Sequence, residues 1–432
     1  MKEIFILLFL LTLTFQILII SGHIYSLDEE VTFQTARSIV ENFSTDIEHT
    51  EKNHFYCKKG VDNKYYSKFG IGFSLFLVPF IITGKFISII FGLKQTNLLY
   101  FVSSFANIIV ISLIVAVFCL LVWNISKNRK ISIILSLTLG FSTFLMPYGR
   151  TLFNDPFCLL NLTLSIYFFY LFKAALQTQN LRERYLFYSG IFSGLMFATR
   201  FEYTIIIPGI SLLFLNLLKT NKKSLYKIIF YIVPVVVIFL FLGLYNHTRF
   251  GRFYDTGIYN QDPSDKFSTP LFVGLSGMLL SPGKGIIFYA PVIILSIWGL
   301  KDWIKTRGIE SFIILFFIIL PVLILHSKWH SWMGGWSWGP RRLIGILTLL
   351  LLPAINALAS ILNKRENKLL INFILVIFLT GFLIQVPGFL VNFMDYIEWA
   401  QSQRHSTIYE LTWSPYIGHI RYLLSGAEPD LF

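Results

Sequence analysis

Residues 98–123, LLYFVSSFANIIVISLIVAVFCLLVW, form the stretch of sequence that decides the fold. None of them is charged, and a helix of roughly 20 apolar residues is long enough to cross the hydrocarbon core of a bilayer. The same character continues along the chain, because 55% of its 432 residues are hydrophobic and 14% are charged. Soluble proteins carry about 25% charged residues, so a water-facing surface cannot cover this apolar content. The sequence predicts an all-α polytopic membrane protein.

Residues 98–123 are one of about eleven runs that we predict to cross the membrane. The first run, about residues 4–20, is longer than a typical signal-peptide core, and no A-x-A-like cleavage site follows it. We therefore expect an uncleaved helix with a cytoplasmic N-terminus. The other spans are predicted at 98–123, 131–146, 157–175, 186–199, 203–218, 228–245, 286–300, 311–326, 343–362 and 369–390.

The net charge of +13 does not indicate nucleic-acid binding, because the basic residues stand in short clusters between apolar runs. This placement is typical of cytoplasmic loops under the positive-inside rule. The clusters comprise Lys127, Arg129, Lys130, Arg182, Arg184, Lys219, Lys222, Lys223, Lys227, Lys301, Lys305, Arg307, Lys364, Arg365 and Lys368.

The apolar run at 70–92 decides on which side these clusters lie. If it crosses the bilayer, the clusters face outward, against the charge rule. If it lies at the outer interface as an amphipathic or re-entrant segment, the clusters are cytoplasmic. The run is interrupted by Gly70, Gly72, Pro79, Gly84 and Lys85. We choose the interfacial interpretation, which gives an extracytoplasmic C-terminus.

This topology places the features suited to chemistry on the outer face. We expect a single transmembrane domain over 1–432, with a first outer loop at 21–97, site loops at 246–285 and 327–342, and an outer tail at 391–432. All eight histidines lie on or next to this face. The three cysteines form neither a disulfide framework nor a zinc motif.

An acidic stretch, Asp28-Glu29-Glu30, follows the first predicted span. A carboxylate at the rim of the bilayer can take a proton from an acceptor hydroxyl if a partner holds it in place. The alternative is an acidic helix start capped by Ser26.

Two further stretches suggest phosphate ligands, each with a structural alternative. Residues 65–70, YYSKFG, place Tyr66 and Lys68 at headgroup depth, where they can also serve as interface anchors. Residues 246–285 contain Arg249 and several glycines, but the spacing does not match a P-loop.

Two short outer loops contain paired charges. Arg150 and Asp155 lie in one loop, and Arg200 and Glu202 flank the next turn. Asp155 precedes a proline, so it is also a typical turn former.

Residues 326–342, HSKWHSWMGGWSWGPRR, are the most informative outer stretch. Four of the nine tryptophans fall here, whereas an aromatic belt spreads them over many helix ends. The indoles of Trp332, Trp336 and Trp338 suit a sugar or lipid headgroup, and an arginine fork suits a phosphate. His326 and His330 are four residues apart, but no third ligand is evident, so we expect no metal.

In this order, these stretches resemble the GT-C glycosyltransferases, multi-span enzymes that use polyprenyl-phosphate-linked sugars. The similarity is to bacterial and archaeal relatives of protein O-mannosyltransferases and of the lipid A aminoarabinose transferase. It comprises Asp28-Glu29, residues 66–72, Arg150 with Asp155, 246–251, 281–285 and 334–341. Each motif is short and degenerate, and their joint order carries the resemblance.

The resemblance implies a role for each of these residues. Asp28 is expected as the general base, and Glu29 as a group that holds or polarises the acceptor. The lipid phosphate is expected on Lys68, Arg200, Arg249 and Arg341. Asp155 is expected near the acceptor, together with Tyr66 and the three indoles. The resemblance also implies interfacial helices in the first outer loop, inversion at the anomeric carbon, and no cofactor.

The expected partners are a polyprenyl-phosphate-linked sugar donor, membrane lipids, and a lipid, glycan or protein acceptor, but no nucleic acid. The expected location is the cell membrane, with the active site on its extracytoplasmic face. A flippase for lipid-linked sugars is the alternative, although the predicted spans contain few of the charged groups that transporters place at mid-membrane. A non-catalytic scaffold would leave the acidic pair and the tryptophan stretch without a role.

Overall fold

The computed structural model describes residues 1–178, 182–219, 222–258, 266–363 and 368–430. The predicted cytoplasmic residues Lys364 and Arg365, and residues 259–265 of the predicted site loop, lie outside these ranges.

Most of the described chain is helical, as the apolar runs predict. The α-helices are α1 (Lys2–Leu18), α2 (Leu27–Asn42), α3 (Ile71–Phe91), α4 (Gln95–Ser126), α5 (Arg129–Phe141), α6 (Asp155–Gln177), α7 (Arg184–Thr199), α8 (Ile207–Leu218), α9 (Ile229–Phe250), α10 (Leu271–Leu280), α11 (Ile286–Tyr289), α12 (Ile293–Arg307), α13 (Ile309–Ile313), α14 (Leu320–Lys328), α15 (Leu347–Leu351), α16 (Ala354–Asn363), α17 (Lys368–Leu390), α18 (Phe393–Ser402) and α19 (Pro415–Leu424). A π-helix, Ile314–Ile319, joins α13 to α14, and 3₁₀-helices lie at His54–Tyr56, Met146–Arg150, Phe201–Ile206, Lys222–Ile228, Arg341–Ile346 and Leu411–Trp413.

Seven of the described helices are long and apolar enough to cross a membrane, or eight if the bent pair Arg341–Leu351 and Ala354–Leu362 counts as one span. The predicted count of about eleven is therefore not confirmed. The difference comes from helices such as α1, α5, α7 and α12, which have 17, 13, 16 and 15 residues. A helix rises 1.5 Å per residue, so these are at or below the length that covers about 30 Å.

Helix α4 lies at the centre of the fold. It is apolar on all sides, which is typical of a helix surrounded by protein, and it packs against α1, α3, α5 and α6. Its buried Asn107 donates from Nδ2 to the carbonyl oxygens of Thr151 and Phe153, at 2.7 and 2.8 Å. This central helix therefore fixes the loop that leads into α6.

The first outer loop contains a small antiparallel sheet that the sequence analysis does not predict. Its strands β1 (Asp46–Ile47), β2 (Cys57–Lys59) and β3 (Tyr65–Ser67) have the order β1-β3-β2. In the register, Asp46 lies opposite Tyr66, and Cys57 lies opposite Ser67. The central strand leads directly to Lys68.

Helix α3 is continuous over the segment that we expect at the interface. It contains Pro79, ends at Gly92 in the left-handed conformation, and packs against α2, α4 and α7. The prediction that this segment could be re-entrant is wrong, because Ile71–Phe91 is one continuous helix that does not turn back. By length and composition it is one of the seven helices that can cross a membrane, so its interfacial placement stays a prediction.

Candidate active site

The side chain of Arg341 lies between two carboxylates. Its Nη2 donates to Asp28 Oδ2 and its Nε to Asp155 Oδ2, both at 2.8 Å. The three residues come from the first turn of α2, the first turn of α6 and the start of the 3₁₀-helix before α15. Asp155 is 1% exposed, whereas Asp28 is 21% exposed. Asp28 is therefore the carboxylate of this pair that a substrate can reach.

Arg200 continues the network on the other side of Asp155. Its Nη1 donates to Asp155 Oδ1 at 2.5 Å, and its Nε donates to Glu202 at 2.6 Å. Carboxylates and guanidiniums thus alternate through five side chains, from Glu202 to Asp28. Truncating one member of such a buried set leaves its partner uncompensated, which typically costs about 3–5 kcal/mol.

Arg342 lies beside this network without a carboxylate of its own. It is near enough to Arg200, Arg341 and Glu202 for electrostatic interaction. Within the described parts of the chain it forms no ion pair, and its Nε has no hydrogen-bond partner. The sequence does not distinguish Arg342 from its neighbour Arg341, so no sequence pattern predicts this residue as part of the site.

Glu29 faces backbone amides rather than the charged network. Its side chain is fully buried and accepts hydrogen bonds from Leu152 N at 3.1 Å, Tyr25 N at 3.3 Å and Ser26 Oγ at 3.1 Å. Burial raises the pKa of Glu29 to about 7, although these hydrogen bonds oppose the shift. The geometry joins the start of α2 to the loop before α6, so it positions Asp28.

Lys68 and Arg249 come together at the end of β3. Arg249 Nη1 donates to the carbonyl of Ser67 at 3.0 Å, and its Nη2 donates to Asn246 Oδ1 at 2.7 Å. The Lys68 ammonium lies 4.9 Å from the centre of the Tyr56 ring. Tyr66 is buried and donates its hydroxyl to Asp62 at 2.7 Å.

Close packing at Gly70 connects this group with Arg200. A Cβ at Gly70 would lie 2.1 Å from the carbonyl oxygen of Ala198, so a larger residue cannot fit there. The segment after Lys68 therefore packs directly against the C-terminal end of α7, and Arg200 is the residue that follows this helix.

Two of the three predicted sugar-binding indoles are buried. Trp338 donates from Nε1 to Gln385 Oε1 at 2.9 Å, and the Trp332 ring lies against Gly277. Trp336 is half-buried against the cluster around Tyr396. In this conformation Trp332 and Trp338 pack the core, and of the three indoles Trp336 is the one that keeps an exposed part. Stacking of these indoles on a sugar stays a prediction.

Lys284 binds the backbone of the tryptophan-rich stretch at residues 326–342. Its Nζ donates to Ser337 O at 2.5 Å, and to Gly335 O and Ser337 Oγ at 3.2 Å. Burial, with added repulsion from Arg341 and Arg342, lowers the pKa of Lys284 to about 7. The lysine thus binds the loop that leads into Arg341.

Asp430, the last described residue, makes a contact that no sequence pattern predicts. Arg150 is 2% exposed and donates to the carboxylate of Asp430 at 3.2 Å and to its carbonyl oxygen. His23 and Tyr25 contact the same carboxylate at 3.0 and 2.8 Å. Arg150 therefore holds the tail and is not part of the network around Asp155.

The described residues contain no group of three or more His, Cys, Asp or Glu side chains that could hold a metal ion. His326 is buried against Tyr203 at the end of α14, with ring centres 6.0 Å apart. The three cysteines are free and buried.

The chain is similar in sequence to one protein-family model and in fold to several solved structures. Residues 89–245 match the family model of dolichyl-phosphate-mannose-protein mannosyltransferases, a segment that includes Asp155 and Arg200. No curated protein sequence matches the chain.

Among solved structures, the chain is similar to ArnT from Cupriavidus metallidurans in the apo state, with a TM-score of 0.58 and 13% identity over 98% of this chain and 76% of that one. For ArnT bound to undecaprenyl phosphate the TM-score is 0.53, with 11% identity over 98% and 75% of the two chains. Archaeal oligosaccharyltransferase AglB from Archaeoglobus fulgidus, in complex with an inhibitory peptide and a dolichol-phosphate, has a TM-score of 0.52 and 12% identity. The chain is covered to 96% in that comparison and spans 60% of the length of AglB. The protein therefore shares the fold of ArnT and AglB, and the GT-C fold that the sequence analysis predicts is confirmed.

Proposed function

We propose that the protein is an inverting glycosyltransferase that moves a hexose or pentose from a polyprenyl-phosphate donor to a hydroxyl acceptor at the extracytoplasmic face. The observation that carries this proposal is the environment of Asp28. This carboxylate is the partly exposed end of an otherwise buried charge network, held by Arg341 at 2.8 Å. ArnT, which shares the fold, binds undecaprenyl phosphate.

Asp28 has a free oxygen for the acceptor. Its Oδ2 accepts from Arg341, whereas its Oδ1 makes no side-chain hydrogen bond within the described chain. In the proposed step, an acceptor hydroxyl gives its proton to Asp28 as its oxygen attacks the anomeric carbon, and the bond from that carbon to the phosphate oxygen breaks. A positioned base typically contributes about 10²–10⁴-fold.

The leaving phosphate takes the electron pair of the broken bond and needs fixed cations. Arg341 uses Nη2 and Nε on carboxylates, and its Nη1 makes no hydrogen bond within the described residues. Arg342 has no ion pair there, so it joins Lys68, Arg249, Arg200 and Arg341 as a phosphate ligand in this proposal. Fixed cations that face the charge developing in a transition state usually make the largest single contribution to the rate enhancement.

The test begins with mass spectrometry of surface glycans and lipids from cells with and without the gene, because the mass difference identifies the sugar. Sugar transfer in membranes is then measured with the matching polyprenyl-phosphate donor. We expect Asp28→Asn to abolish transfer while leaving expression and donor binding nearly intact. Asp302→Asn, an exposed substitution on α12, is the matched control.

Arg342→Gln is expected to raise the apparent KM for the donor about tenfold or more, the range of a lost charge-assisted hydrogen bond, with little loss of thermal stability. Full transfer activity in Asp28→Asn would remove Asp28 from the role of base. An unchanged donor KM in Arg342→Gln would remove Arg342 from the phosphate site.

A further inference from the structure

His326 is a buried histidine with an unused ring nitrogen. It lies in the last turn of α14, and 4% of its surface is exposed. Its Nε2 is enclosed by protein and has no hydrogen-bond partner within the described ranges of the chain. A buried polar atom without a partner costs free energy, so a ligand that hydrogen-bonds to Nε2 would give this nitrogen a role.

Arg342, at the other end of the tryptophan-rich stretch, has the same feature. Its Nε is also buried and also lacks a partner among the described residues. Its charge is near enough to His326 for electrostatic interaction. Two unsatisfied nitrogens, one from each end of the stretch at residues 326–342, therefore lie in the same part of the molecule.

The packing of α14 explains why His326 is close to the charged network. This helix packs against the 3₁₀-helix Phe201–Ile206, which follows Arg200, and against the 3₁₀-helix Arg341–Ile346. Tyr203 connects all three elements, because its ring lies 6.0 Å from the ring of His326 and its hydroxyl fills the space beside Gly345. The imidazole is thus held where the helices that carry the arginines meet.

A second histidine shows why the neighbouring arginine matters. His419 is also buried, and its Nε2 also has no hydrogen-bond partner in the described chain. Its Nδ1 donates to the carbonyl of Pro387 at 2.9 Å, and its ring centre lies 5.0 Å from that of Trp338 and 4.6 Å from that of Tyr396. None of these three neighbours is charged, whereas the guanidinium near His326 attracts an anion.

We propose that His326 is a further ligand of the lipid phosphate and donates a hydrogen bond from Nε2–H to one of its oxygens. This inference rests on the proposed function, in which Arg342 belongs to the phosphate site. A phosphate group has several oxygens that accept strong hydrogen bonds, so one can accept from Arg342 and another from His326. The neutral imidazole has one N–H, and this role assigns it to Nε2.

The experiment measures how strongly the full-length protein in nanodiscs prefers undecaprenyl phosphate to undecaprenol, which has the same chain without the phosphate. The ratio of the two Kd values isolates the contribution of the phosphate. The variants are Arg342→Gln, His326→Phe, His326→Asn and His326→Gln. His419→Phe is the matched control, because it removes an equally buried imidazole that also has an unpartnered Nε2.

We expect the wild type to prefer undecaprenyl phosphate, and His326→Phe and His326→Asn to reduce this preference about tenfold or more, the range of a hydrogen bond to a charged group. Their affinity for undecaprenol should not change. His326→Gln should keep most of the preference, because its longer amide can donate from about the position of Nε2 whereas that of asparagine cannot. His419→Phe should keep the wild-type preference.

An unchanged preference in both His326→Phe and His326→Asn, with loss of the preference in Arg342→Gln, would overturn this inference and leave the proposed phosphate site intact. Equal losses in His326→Gln, His326→Asn and His419→Phe would also overturn it, because they would show an effect of core packing alone. A wild type that binds both lipids equally would overturn the proposed phosphate site and this inference with it.

Discussion

Asp28 and Glu29 are neighbours in the sequence but have opposite environments. Asp28 is partly exposed and contacts a guanidinium, whereas Glu29 is buried and contacts backbone amides. Consecutive residues at the start of a helix point in directions about 100° apart, so one can face a site while the other locks the helix in place. The acidic pair was recognisable from the sequence, but this division of tasks depends on α6 and its preceding loop.

The buried Glu29 predicts a pH-dependent stability. Its pKa is about 7 in the folded protein and 4.5 in its ordinary state, so the folded state binds more protons between these values. Stability then falls as pH rises through this window, by up to about 3 kcal/mol. In Glu29→Gln the amide oxygen still accepts from Leu152 and Tyr25, and the melting temperature should fall less between pH 5 and pH 7.5.

The measurement is thermal unfolding in detergent across that pH range, with the exposed Glu428→Gln as control. An identical pH dependence in wild type and Glu29→Gln would show that another group titrates.

Arg341 was predictable as a cation near the site, and its two carboxylate partners were not. Asp28, Asp155 and Arg341 are separated by 127 to 313 positions in the chain, and no local pattern records a contact over such distances. The family resemblance indicates the residues. Their pairing comes from the packing of α6 against the 3₁₀-helix Arg341–Ile346 and from the hydrogen bond that joins Glu29 of α2 to Leu152 before α6.

At the scale of elements, the loop before Arg341 is held by one buried amine. Lys284→Met removes three hydrogen bonds and leaves the carbonyl oxygens of Gly335 and Ser337 without that donor. An unsatisfied buried carbonyl costs about 1–3 kcal/mol, so we expect amide hydrogen exchange over 329–340 to become about tenfold faster or more. Lys301→Met, exposed on α12, is the control.

Unchanged exchange in Lys284→Met would mean that the glycines and buried indoles hold this loop without the lysine. Trp332 and Trp338 of this loop are buried, whereas the tryptophan-rich sequence predicts a binding surface. A tryptophan-rich stretch predicts a binding surface or a packed core equally well, and long-range partners such as Gln385 decide between them.

At the scale of the whole molecule, hydropathy located most helices and did not determine how they sit in a bilayer. Predicted spans such as 98–123 and 157–175 lie within α4 and α6. The predicted number of spans is not confirmed where apolar helices are short, as at α5 and α12, or bent, as at the pair Arg341–Leu351 and Ala354–Leu362. The sheet of the first outer loop has strands of two or three residues, which are too short to produce a periodic signal.

The side on which α3 ends distinguishes the two topologies. Cysteines replacing Lys64 and Leu93 flank this helix, and the natural cysteines are buried, which keeps background labelling low. If α3 lies at the outer interface, a membrane-impermeant maleimide should label both positions on intact cells. Labelling of Leu93→Cys only after permeabilisation would mean that α3 crosses the bilayer and that the orientation of the basic loops is reversed.

Asp430 is held by contacts with Arg150, His23 and Tyr25. These contacts have a practical consequence for the production of this protein. A fluorescent or affinity tag inserted within a few residues of Asp430 would disturb the contact with Arg150, which also donates to the carbonyl of Phe389 at the end of α17. Such a tag should lower the yield or monodispersity of the protein, and a tag placed away from this contact should not.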